Sequence, residues 1–153
     1  MNVKKLIPHS VIFIISGLIY VSLEFLWRGR SHWTMFLCAG CCGLIMAVIN
    51  NRLLDFDTDF RIQVIVSALL CTTAELIFGL IFNKNFTIWD YRNTWGTIHI
   101  LNDQVNILFI GVWIIISIFA LPFLDWIQWK LGLADKPYYR IRDRYFYPWE
   151  RKG

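Results

Sequence analysis

Four long apolar runs, at 6–27, 35–53, 62–82 and 105–127, constrain what this chain can become more than any other feature. A helix crossing the hydrocarbon of a bilayer needs about 20 mainly apolar residues, and each run approaches that length. A soluble domain of 153 residues has too little interior for such runs, and here 57% of the chain is hydrophobic while only 17% is charged. The fold class expected is therefore all-α: a polytopic membrane protein built as a four-transmembrane-helix bundle. Residues 1–130 form the bundle, with an extracytoplasmic interfacial loop between the third and fourth helices. Residues 131–153 form a cytoplasmic tail rich in basic and aromatic side chains. The first run is long enough to span and carries no small-residue cleavage site, so it reads as a span and not as a signal peptide.

Lys and Arg give the direction. Eleven of them fall at the N-terminus (Lys4, Lys5), in the second loop (Arg52, Arg61) and in the tail from Lys130 onward. Four, namely Arg28, Arg30, Lys84 and Arg92, fall on the other side. Positive charge marks the cytoplasmic face, so both termini are expected in the cytoplasm of a multi-pass protein of the cell membrane. The net charge of +4 sits beside apolar runs, which suits lipid headgroups and not nucleic acid. The tail KPYYRIRDRYFYPWERKG is expected to lie on anionic lipid, with its rings at headgroup depth.

Ionisable residues within the runs are the candidates for function, because a charge in hydrocarbon costs a few kcal/mol. Glu24 lies near the end of the first run. Glu75 lies seven residues before the end of the third, about 10 Å deep at the helical rise. Ser16, Tyr20, Glu24 and Arg28 recur every four residues and share one face, and Glu24 is placed to pair with Arg28 at i, i+4. Ser67, Cys71, Glu75 and Gly79 recur likewise, with Ala39, Gly43 and Ala47 in the second run; small and polar stripes of this kind suit helix contacts in lipid. Ser67 or Thr72 could hydrogen-bond Glu75. The plain alternative is that both acids only hold the bundle together.

The loop 83–104 is too long for a simple turn and is expected to fold back over the mouth of the bundle. Substrate-binding candidates are Glu24, Arg28, Arg30, His32, Glu75, Trp89, Asp90 and Tyr91, with His99 nearby. No catalytic residue, metal ligand or cofactor is assigned: Cys38-x-x-Cys41-Cys42 lies inside a helix that offers no loop to wrap a metal, and no glycine-rich phosphate loop is present. The cysteines read as small packing residues.

The residues Glu24-Phe25-Leu26-Trp27-Arg28-Gly29 and Ser31-His32-Trp33-Thr34-Met35-Phe36 resemble the opening of the bacterial ABC-transporter type IV family, whose eukaryotic relatives are the transmembrane protein 229 group. Glu75 with Phe78-Gly79, Trp89-Asp90-Tyr91, Gln104, Trp113, Leu124-Asp125-Trp126 and Lys136-Pro137-x-Tyr139 extend the likeness over 20–140. The stretch Arg92-Asn93-Thr94-Trp95-Gly96, and Asp103 before Gln104, depart from the family pattern. The resemblance implies a permease. Four spans are few for a full path, so a homo-oligomer or other membrane subunits are expected as partners.

The function expected is a permease-like or transport-associated subunit with an outward-facing pocket for a small polar solute or a lipid headgroup. The alternatives are a membrane-embedded enzyme acting on a lipid or isoprenoid, with Glu75 and Asp90 or His99 as acid and base, and a structural or assembly protein.

Overall fold

The computed structural model describes residues 3–49 and 53–149. Arg52, Arg151 and Lys152, all counted in the charge bias, lie outside the described residues. Four helices follow in order: α1 (Val3–Arg28), α2 (Trp33–Val48), α3 (Phe60–Phe82) and α4 (Ile107–Lys130). Each of the last three is started by a polar side chain that accepts a free backbone N–H, as helix ends require. His32 accepts from Thr34, Asp59 from Arg61 and Asn106 from Leu108.

Three helices are long and apolar enough to cross a membrane: α1 from Pro8, α3 and α4. Their surfaces fit that use. Only 11% of the apolar window of α1 is buried, and Leu18, Leu23, Phe119 and Ile115 are more than half exposed. Apolar faces this extensive mark contact with lipid or another apolar partner. The second run differs from expectation: α2 starts two residues early, and its regular part ends at Val48 after 16 residues, about 24 Å at the helical rise.

α2 is the packing centre, touching α1, α3 and α4. Its Cys38, Ala39, Gly40, Cys42, Gly43 and Ala47 are buried, and their small size lets neighbouring backbones come close. At Gly40 an added Cβ would stand 2.7 Å from the Phe13 ring. Cys42, Cys71, Ala68, Leu121 and Leu124 continue this core between α2, α3 and α4.

The chain is mostly helical, as expected, with one small hairpin added in the tail. Within the tail, β1 (Tyr139–Ile141) pairs antiparallel with β2 (Arg144–Phe146), with Ile141 opposite Arg144. Composition pointed to a membrane surface, but specific contacts also tie this hairpin to the bundle. The Tyr139 hydroxyl donates to Asp125 at 2.7 Å, and its ring meets Phe60 edge-on at 5.0 Å. The Arg142 N–H donates to Asp59 at 2.8 Å. Tyr145, Phe146 and Tyr147 stay half exposed.

Candidate functional site

Two polar groupings occupy the end of the bundle where α1 and α3 finish and α4 begins. The first is built on α1 and the turn after it. Glu24 is ion-paired with Arg28 one helical turn on and accepts the Ser31 hydroxyl at 2.5 Å. Arg28 also donates to the Ile88 carbonyl at 3.3 Å, so the pair fastens α1 to the long loop. The i, i+4 spacing anticipated this pair.

The second grouping surrounds Glu75, which is 7% exposed. One carboxylate oxygen accepts the Tyr91 hydroxyl at 2.9 Å and the other accepts the Trp113 indole N–H at 2.9 Å. Neither Ser67 nor Thr72 is the partner: Thr72 donates back to the Ala68 carbonyl, and Ser67 Oγ is buried without a hydrogen bond among the described residues. The partners come instead from the loop and from α4, far along the chain. Burial, and then the adjacent Glu75 carboxylate, push the Tyr91 hydroxyl well above the usual phenol range. Tyr91 therefore keeps its proton and its role as donor.

Tyr20 connects the groupings, lying within electrostatic reach of Glu24, Glu75 and Arg28. With Met35, Cys38, Trp113 and Glu75 it lines a cavity of about 70 Å³. The face of α1 that carries Ser16, Tyr20, Glu24 and Arg28 thus turns inward along its length.

The other candidates do not converge there. Asp90 is exposed and gripped by Arg92, whose guanidinium holds its carboxyl at about 2. His32 is spent on the α2 cap, and Arg30 is exposed. His99 pairs with Asp103 at 2.5 Å on the outer surface. Asp90 and His99 are thus exposed and paired with Arg92 and Asp103, whereas Glu75 is buried and bonded to Tyr91 and Trp113. Trp89 is buried and structural: its indole donates to the Gln104 carbonyl at 3.3 Å.

The loop itself is a packed cap. Asn83, fully buried, donates to the Trp89 carbonyl at 2.7 Å and to Gln104 at 3.0 Å, and accepts the Ile88 N–H at 3.0 Å. Asn106 donates to the Trp95 carbonyl at 2.9 Å, and Thr97 donates to the Tyr91 carbonyl. These bonds supply partners for the buried parts of the loop, at Asn83, Ile88, Trp89, Tyr91 and Gln104, and fix Tyr91 over Glu75. Asn83 and Asn106 were not singled out from sequence. The available signal was an amide at each end of the loop, where helix termini need side-chain partners.

Fold and site together define a helical bundle, with three helices able to cross a membrane, capped at one end over a buried acid. The chain matches no family model, no curated protein and no solved structure.

Proposed function

We propose that this chain is a permease-like or transport-associated subunit of the cell membrane, with a ligand site at Glu75. It crosses four times with both termini in the cytoplasm, α2 being the short inner crossing, and works as a homo-oligomer or with other membrane subunits. The observation that carries this reading is a buried carboxylate bordering a cavity. Its two hydrogen bonds leave further acceptor positions on the carboxylate. Tyr20 and Glu75 would bind the ligand, while Glu24 and Arg28 hold the loop in place above them.

Kinship with the ABC-transporter type IV family belongs to this proposal. Its support is that the resembling positions work as sets. Glu24 joins Arg28, Glu75 joins Tyr91 and Trp113, Trp89 joins Gln104, and Asp125 joins Tyr139.

Native mass spectrometry after mild detergent extraction tests the site. Wild type is expected to carry a small-molecule adduct that Glu75→Gln loses while remaining folded and of the same oligomeric state. An identical adduct on Glu75→Gln, or none on either protein, removes Glu75 from ligand binding.

A further inference from the structure

A second cavity, of about 550 Å³, lies between α1, α2 and α4. α1 packs on α2 and barely touches α4, so the cavity opens sideways along the seam between α1 and α4. Its mouth is bulky and apolar, with Ile19 and Leu23 from α1 and Ile115, Phe119 and Phe123 from α4. At the inner end it shares Tyr20, Ala39, Trp113 and Ile116 with the small cavity that Glu75 borders. A large apolar groove thus lies directly beside the small cavity in which Glu75 and Tyr20 supply the polar groups.

We infer that this groove holds the hydrocarbon chain of a single-chain amphiphile entering from the bilayer, with its hydrogen-bond-donating head, an alcohol or ammonium, at Glu75 and Tyr20. The inference rests on the ligand site proposed above and names the chemical class of its ligand.

Three observations favour this occupant. The volume falls within the range of small-molecule sites, about 300–1,000 Å³. The seam opens between two helices whose outer faces are apolar, where hydrocarbon chains are the surrounding solvent. A donating head fits this end: Glu75 keeps acceptor capacity beyond its bonds to Tyr91 and Trp113, while Nη1 and Nη2 of Arg28 are taken by the Ile88 carbonyl and Glu24. Tyr20 lines both cavities and brings its hydroxyl-bearing side chain to their shared boundary. A helix from a second copy fits less well, because close helix pairing in lipid uses small residues. Here the small residues, Ala39 and Gly43, form the floor while the mouth is bulky.

The full-length protein in phosphatidylcholine vesicles is labelled with three photoreactive probes carrying the same sixteen-carbon chain (chosen at roughly the length of membrane acyl chains) and an alcohol, amine or carboxylate head. Alcohol or amine probes are expected to label peptides around Phe119 and Leu23, with the carboxylate probe about tenfold weaker, the scale of one charge-assisted hydrogen bond. Ala120→Trp, which fills the groove, should abolish labelling, and Glu75→Gln should erase the preference for donor heads. Mapping of the labelled residues in wild type does not depend on either variant folding. Equal labelling by all three heads means bulk lipid only and overturns the inference, as does a cross-link between two copies at this seam. An adduct lost in Glu75→Gln but kept in Ala120→Trp removes the groove while the site at Glu75 stands.

Discussion

Gly79 and Gln104 decide how closely the cap can sit on α3. A Cβ on Gly79 would stand 2.6 Å from Gln104 Oε1 and 3.0 Å from its Cβ. Gln104 cannot swing away without losing its bond to Asn83. Gly79→Ala is therefore expected to destabilise the protein by about 1–3 kcal/mol, the usual cost of overpacking, and to lower its melting temperature in detergent. Gly111, where nothing stands within 4 Å of an added Cβ, is the control, with Gly111→Ala neutral within about 0.5 kcal/mol. Equal melting of the two variants would mean the cap is not seated on α3 as described. At Glu75, Tyr91→Phe leaves a buried carboxylate oxygen unpartnered at a cost of about 1–3 kcal/mol, and a thermal melt reads the loss.

The hairpin shows how one charged side chain can hold an element in place. Asp59 caps α3, pairs with Arg61 and accepts the Arg142 N–H. Hydrogen bonds from the Arg61 guanidinium and the Arg142 backbone hold its carboxyl far below the usual carboxylate range. A depressed folded value means the stabilisation is complete above the unfolded pKa of about 3.9 and is lost as pH falls from there toward the folded value. Amide hydrogen exchange around Arg142, corrected for intrinsic rates, should stay constant from neutral pH down to about 5 and rise below 4. In Asp59→Asn it should be about tenfold faster already at neutral pH, on the scale of one charge-assisted bond. Exchange in Asp59→Asn that matches wild type would show that Asp59 does not secure the hairpin.

Across the whole molecule, the number of crossings depends on α2. At 16 residues it falls short of the ~20 expected for an unaided span. It is shielded on three sides by other helices, so it meets less lipid and need not match the full hydrocarbon thickness by itself. The proposed topology, four crossings with both termini in the cytoplasm, would place residues 30 and 84 outside and residues 57 and 136 inside. Arg30→Cys and Lys84→Cys should therefore react with a membrane-impermeant maleimide on intact cells, whereas Asp57→Cys and Lys136→Cys should react only after permeabilisation. The four native cysteines lie within α2 and α3, which keeps the background low. Labelling of residues 30 and 57 from the same side would show that α2 does not cross.

Local chemistry made the long helices legible in the sequence. Apolar length fixed α1, α3 and α4 to within a few residues, and four-residue spacing gave the Glu24–Arg28 pair, the half-buried face of α1 and the buried face of α3. The loop and tail were not legible in this way. Tyr91 and Trp113 reach Glu75 across separations of 16 and 38 residues, and Tyr139 reaches Asp125 across 14, distances that no helical period encodes. Tertiary packing alone sorted the polar candidates: it buried Glu75 beside a cavity, turned Asp90 and His99 outward, and used His32 and Trp89 as structural supports. The physical reason is that helix formation in an apolar run satisfies its own backbone within four residues. A buried carboxylate and the buried polar groups of a loop must instead find partners wherever the fold brings them.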